Sequence, residues 1–467
     1  MKQILFAVFT SVVCGVSAAT VERVFARQMW PWNTQFEVSY ILNTKVDEAC
    51  DVSLAVSSGG ETFNIPATEL MGETKGLTSG EYKIVWDSSV SSSPTAAWLA
   101  ANSGKLQFSI VTEDAKDASE YLVIDLSGGP DAESWPSVRI AGMPLKGWTD
   151  EYKTTKLVLR RIHAGGKGDV FSSKDGVSFK FGCSEADQAY KCSWDFNALD
   201  GVLTNDYWIG VFELTQKQYQ LITGNEITSE TFKTEDTYPQ TCIGYYTHMR
   251  GETVGCRWPV SSDVDELSLM GILRRKVQLP KEIPADWTFD LPTEAQWEYA
   301  CRAGTTTPWN DGSTYNTYIY KTTTDKNGVT TSYEGDKNLD LLGWNPANCT
   351  TKGMSVGSLL PNAWGLYDMH GNASEYCLDH NINHSSPGNY RRGKEPLGPP
   401  VPNDSYDASR ARVVKGGGYS SYWTTITDQK YWKGHRSCAH VQTYSGNASD
   451  HHTCRITLRN SAVNAGK

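Results

Sequence analysis

Two carboxylates around a turn carry the clearest chemistry in this chain. Asp368 and Glu375 flank Met369-His370-Gly371-Asn372-Ala373-Ser374, where a Gly-Asn step can turn main-chain carbonyls inward. A hard cation such as calcium takes that mixture of carboxylate and carbonyl oxygens. The other constellations are thinner. His380 and His384 have a metal-like spacing, and His435, His440, His451 and His452 crowd the C-terminal end, as a histidine-bound iron centre would require. The residues after His380 read as loop, however, where histidines are ordinarily surface groups. No Cys-x-x-Cys occurs, which removes the usual structural-zinc pattern. A Ser/His/Asp hydrolase lacks a nucleophile elbow between a strand and a helix.

These residues need elements to hold them, and composition bounds what those are. A chain of 467 residues implies two or three domains. The formal net charge of -10, with no basic run, excludes nucleic acid as a partner, because binding it requires a cationic footprint. At the N-terminus, Lys2, the short apolar stretch Ile4 to Val13 and the small residues Val16-Ser17-Ala18 form an export-signal pattern over residues 1–19. That stretch is too short for a permanent transmembrane anchor, and no later segment matches a span. Export places the protein in the periplasm, on the cell surface or in the medium. Of the 11 cysteines, only Cys14 lies in the signal, so an even set remains for an oxidising compartment.

From residue 20 to about 150 the chain reads as short strands between Gly/Ser/Pro turns. Phe36, Val38, Tyr40 and Leu42 alternate, as do Val52, Leu54 and Val56; Tyr82–Trp86, Leu106–Val111 and Tyr121–Leu126 follow. This all-β pattern predicts an antiparallel β-sandwich of immunoglobulin or fibronectin type. The polar stretch Trp148-Thr149-Asp150-Glu151 suggests a boundary. Beyond it, from 155 to 462, lies an α+β region of few helices and long loops, notably Thr305–Lys337 and Asn381–Asp407.

Four segments of that region carry a family resemblance. They are Tyr207-Trp208-Ile209-Gly210-Val211-Phe212-Glu213-Leu214-Thr215-Gln216, Leu291-Pro292-Thr293-Glu294-Ala295-Gln296-Trp297-Glu298-Tyr299-Ala300-Cys301-Arg302, Pro361-Asn362-Ala363-Trp364-Gly365-Leu366-Tyr367-Asp368 running on to Glu375, and Val413-Val414-Lys415-Gly416-Gly417-Gly418-Tyr419. In type and order they resemble the formylglycine-generating enzyme, or sulfatase-modifying factor, family. The resemblance implies a loop-rich domain of C-type-lectin-related fold. It implies a structural calcium at Asp368, Gly371, Ala373 and Glu375, and a disulfide between Cys301 and Cys438. Arg455 stands where the family ends on a Gly-Phe-Arg step.

The family's oxidase chemistry departs at one place. Two cysteines should follow the glycine strand and hold copper(I), a soft ion that selects thiolates. Here Ser421 and Ile426 stand at those positions, and no cysteine lies between Cys377 and Cys438. Copper is therefore not expected, and the reading leans away from an enzyme. It favours a non-oxidising binding or accessory protein that recognises an extracytoplasmic protein or glycan. The alternatives are a formylglycine-generating oxidase acting on a sulfatase cysteine, or a non-haem metal oxygenase of the same superfamily. Variable proteins that diversify the C-terminal end of this fold suggest where a ligand would sit. Tyr419, Ser421, Tyr422, Trp423 and Arg436 supply side chains suited to an adaptable contact surface.

Overall fold

The computed structural model describes residues 6–7, 19–29, 34–44, 50–91, 93–114, 120–140, 142–144, 147–166, 170–190, 198–226, 234–252, 256, 258, 261–324, 326–328, 330–349, 353–380, 393–395, 411–419, 438, 442–444 and 451–461. Most of the expected export signal lies outside them. Met1–Tyr121 with Arg139–Trp148 form one compact unit, and Leu122–Val138 with Thr149–Lys467 the other.

In the first unit, strand alternation does what the residue pattern dictates. Gln35–Thr44 buries Phe36, Val38, Tyr40 and Leu42 on one face, and Cys50–Ser58 buries Val52, Leu54 and Val56. Gln35–Thr44 pairs antiparallel with Ala19–Gln28 and Gly80–Asp87, and Cys50–Ser58 pairs antiparallel with Glu61–Ile65 and Gln107–Asp114. Both sheets give side chains to one cluster containing Val38, Leu54, Ile84, Trp86 and Ile110.

The second unit is mixed α+β, with many short strands and few helices. Its seven-stranded sheet runs Val277–Gln278, Trp135–Ile140, Tyr121–Asp125, Lys156–Ile162, Tyr207–Gly210, Thr457–Asn460 and Trp287–Asp290 in spatial order. Residues 122–138 thus cluster with this unit although they precede the polar stretch at Trp148. A four-stranded sheet of Gln442–Tyr444, Arg412–Lys415, Ser374–His380 and His452–Thr453 carries the glycine turn. Gln216–Thr223 and Glu294–Arg302 both begin with a capping box, from Thr215 with Gln218 and from Thr293 with Gln296. The Glu294–Arg302 helix is not amphipathic in place. All nine residues are buried, so its polar side chains must find partners inside.

Irregular main chain leaves carbonyls that no ladder satisfies, and buried arginines supply the donors. Arg412 reaches the carbonyls of Trp258 and Leu378, and Arg250 that of Cys256. Asp290 in turn anchors Arg250, Arg274 and Arg459 at 2.8, 3.1 and 3.3 Å.

The expected loop Thr305–Lys337 instead contains a hairpin of Thr317–Thr324 and Thr330–Asp336. The β-prone run Tyr318-Ile319-Tyr320 with the threonines around it is its signal. Of the other long loop, only residues 393–395 are described, and they include a two-residue strand. No described helix is long and apolar enough to cross a membrane, which says nothing of strands.

Candidate functional site

The turn singled out in the sequence is buried and acidic. Glu213 follows the Tyr207–Gly210 strand, Asp368 opens the turn, Glu375 is the second residue of the Ser374–His380 sheet strand, and Arg455 precedes Thr457–Asn460. Asp368, Glu213, Glu375 and Arg455 are each at most 2% exposed. Asp368 and Asn372 take left-handed backbone angles, φ 58° and 64°. Gly371 has no alternative, since a Cβ there would lie 2.2 Å from the carbonyl oxygen of Trp344.

The three carboxylates are not equivalent. Glu375 is fully engaged. Arg455 Nε sits 3.1 and 3.0 Å from its two oxygens, Arg455 Nη2 2.7 Å from Oε1, and the Trp297 indole N–H donates to Oε2 at 2.6 Å. Glu213 accepts from the Asn372 amide and the Ala373 N–H, both at 2.8 Å. Burial, with Asp368 and Glu375 nearby, holds its carboxyl well above the ordinary range. Asp368 accepts from the Gly357 N–H at 2.6 Å through Oδ2, while Oδ1 is buried without a hydrogen-bond partner. Burial pushes its pKa up to about 6, against the pull of the Gly357 N–H.

Three buried carboxylates share one guanidinium, and one carboxylate oxygen lacks a donor. That donor set fits a hard divalent cation. Among the described residues, the carboxylates do not close a three-ligand cage by themselves, so a cation at Asp368 would take further oxygens from main chain. Gly371 and Ala373 lie in the same turn. Glu375, expected as a ligand, is committed to Arg455 and Trp297. Glu213, absent from the expected set, is a third buried carboxylate, raised first by burial and then by Asp368. The signal for it was a single acid inside the apolar run Ile209-Gly210-Val211-Phe212-Glu213-Leu214.

The expected cysteine pair also meets. Cys301 Sγ lies 3.5 Å from Cys438 Sγ, a contact longer than the 2.03–2.05 Å of a disulfide. The two thiols differ. Burial, then the hydrogen bond to Cys438, drives Cys301 well above the ordinary range. For Cys438, burial opposes ionisation, but the S–H of Cys301 and neighbouring His370 hold it well below. Beside them a second network joins Lys415 to Glu298 at 3.2 Å and Glu298 to Arg302 at 2.8 Å.

The expected ligand surface is described at one point. Tyr419 donates its N–H to the Asn372 carbonyl at 2.9 Å, and its ring tilts against His451 at 6.0 Å. Ser421, Tyr422, Trp423, Ile426 and Arg436 lie outside the described residues, as do His384, His435 and His440. His380 closes a strand and is buried, and His452 pairs with Ser374 at that strand's opposite end. Six residues of strand separate them, about 20 Å. Burial, then His451, holds His452 down to about 3. Gly353-Met354-Ser355-Val356-Gly357 spells a nucleophile-elbow motif, but it lies in a turn that no helix follows.

Comparison with known proteins agrees with the segments read above. The chain is 25% identical over 214 residues to chaperone protein LppX of Paenibacillus barcinonensis, a match covering 43% of this chain and 72% of that protein. Among solved structures it is similar to Treponema denticola variable protein 1, at 18% identity and TM-score 0.40, covering 65% of this chain and 95% of that one. It is also similar to PvdO from Pseudomonas aeruginosa, at 16% identity and TM-score 0.41, covering 65% and 94%. The model of the sulfatase-modifying factor enzyme 1-like domain matches residues 173–443, more than half of the chain, and the chain therefore belongs to that family.

Proposed function

We propose that this is an exported, non-oxidising member of the family that works by binding, as an accessory protein recognising a protein or glycan outside the cytoplasm. One observation carries the reading: Ser421 and Ile426 occupy the places of the copper-binding cysteines, and nothing between Cys377 and Cys438 replaces them. A serine hydroxyl is a hard, protonated donor and isoleucine offers none, so the soft ion has no thiolate pair there. The name of the Paenibacillus relative, a chaperone, accords with action on another protein. The described histidines do not converge as an iron centre would need: His380 closes the Ser374–His380 strand, while His452, on the neighbouring strand, pairs with its opposite end.

In this reading the first unit is a β-sandwich that serves as a docking or spacer module. Calcium binds at the glycine turn through Asp368 and the main chain of Gly371 and Ala373, with Glu213 and Glu375 completing the negative field. The ion's contribution is structural, fixing the turn whose Asn372 carbonyl receives the Tyr419 N–H. The residues proposed to contact the ligand are Tyr419, Ser421, Tyr422, Trp423 and Arg436.

Screening the full mature chain against immobilised glycans and displayed exported peptides tests this. Tyr422→Ala and Trp423→Ala should each weaken a captured ligand tenfold or more, as aromatic anchors do. A ligand bound equally well by both variants would place recognition elsewhere and contradict the reading.

A further inference from the structure

Four stretches of chain that share no sequence motif converge on one buried point. Cys301 comes from the end of the Glu294–Arg302 helix, His370 from the glycine turn, and Cys438 from far downstream, while Pro308–Asn310 lies across them. His370 Nε2 is 4.0 Å from Cys301 Sγ and 3.9 Å from Cys438 Sγ, and the sulfurs are 3.5 Å apart. All three residues are 0% exposed. Among the described residues this is the group whose three ligand atoms all lie within 4.8 Å of one another. We infer that Cys301, Cys438 and His370 form a binding site for a thiophilic d10 cation, namely zinc.

The geometry suits the ion. Zinc bonds of roughly 2.3 Å to sulfur and 2.0–2.1 Å to nitrogen, at tetrahedral angles, separate the sulfurs by about 3.8 Å and each sulfur from nitrogen by about 3.6 Å. The three atoms need shift only a few tenths of an ångström to meet those separations. The imidazole is already oriented. Nε2 accepts the Asn310 N–H at 3.1 Å, so the ring proton sits on Nδ1 and the lone pair on Nε2. Trp309 packs edge-on against the ring at 5.4 Å and 86°. The Cys438 N–H donates to the Pro308 carbonyl at 3.0 Å, so one short stretch positions both Cys438 and His370.

A second observation points to a ligand. Asn310 is 3% exposed, and its side-chain oxygen is buried with no hydrogen-bond partner. The same residue's main-chain N–H touches Nε2, so this unsatisfied oxygen belongs to a residue already at the site and is the candidate fourth donor. Zinc would displace that N–H from the imidazole lone pair, a modest loss against three metal bonds.

Charge also balances. Binding releases the protons of both thiols to solvent, and two thiolates neutralise the divalent ion, so no net charge is left in the interior. Oxidation of the same sulfurs to a disulfide is the competing fate. It requires an external oxidant and gives His370 no role.

The test is elemental analysis of the full mature chain purified without chelator or reductant, with non-reducing peptide mapping of the same sample. One zinc per chain is expected, with Cys301 and Cys438 both alkylated as thiols after the metal is stripped. Cobalt in its place should give thiolate-to-metal charge transfer in the near ultraviolet. His370→Gln leaves both cysteines able to form any disulfide, and it should lower zinc affinity at least tenfold while the circular dichroism of the fold is kept. A Cys301–Cys438 cross-linked peptide in zinc-free protein would overturn the inference. So would zinc retention unchanged by His370→Gln. Calcium is read as a separate element in the same measurement, so the two metal assignments stand or fall independently.

Discussion

Replacing Arg455 with methionine is expected to lower stability by about 3–5 kcal/mol, the usual cost of stranding a buried charge by removing its partner. Arg455 holds both oxygens of Glu375 and also donates to the carbonyls of Gly210, Val211 and Tyr367 at 2.9, 3.0 and 2.8 Å. Methionine fills much of the space but satisfies none of these acceptors. It also removes the cation that Glu213 and Asp368 share with Glu375. Arg455→Lys keeps the charge without the planar fork, so its loss should be intermediate. Denaturant midpoints of the second unit's unfolding transition check this. A loss under about 1 kcal/mol for the methionine variant would mean that the carboxylates are protonated or hydrated.

Asp368→Asn is expected to change how stability depends on pH and on calcium together. The folded pKa of about 6 lies above the ordinary 3.8 of an aspartate, so the folded chain holds this proton more tightly than the unfolded one. The contribution is therefore full below pH 3.8 and is lost as pH rises through 6. At ~1.4 kcal/mol per pKa unit it amounts to about 3 kcal/mol. Asp187, pushed by burial to about 6, acts in the same direction. His452 acts oppositely: held at about 3 against an ordinary 6.5, it contributes stability above 6.5 that is lost as pH falls. The informative quantity is thus the parent curve minus the Asp368→Asn curve in chelator, which should decline between pH 4 and 6.5. Calcium selects the ionised carboxylate, so it should raise the parent's melting temperature by several degrees at pH 7, much less at pH 5, and leave the variant unmoved. Superimposable parent curves with calcium and with chelator at pH 7 would remove calcium from the account.

What the sequence revealed was local. The alternation from Phe36 to Leu42 announced a strand, because that signal depends on neighbours a few residues apart. Asp368 was legible for the same reason, as a carboxylate beside a Gly-Asn turn. What stayed hidden depends on which distant residues fold together. The pairing of Glu375 with Arg455 spans 80 residues, and Cys301 meets Cys438 across 137. No periodicity links His370 to either cysteine, so that group emerges only when the turn, the helix end and Pro308–Asn310 are in place. Tyr121–Leu126 read correctly as extended, but its sheet neighbours are Trp135–Ile140 and Lys156–Ile162, the second of them beyond residue 150. The hairpin at Thr317–Asp336 was missed because its threonines and lysine looked like loop composition.

The most direct test of the binding-protein account is a single assay. The purified mature chain, supplied with copper(I), oxygen and reductant, is incubated with a sulfatase-type cysteine peptide, and the peptide mass is read. The account predicts an unmodified cysteine at every time point, since Ser421 and Ile426 cannot hold the copper. Conversion of the cysteine to formylglycine would contradict it and restore the chain to the family's catalytic members.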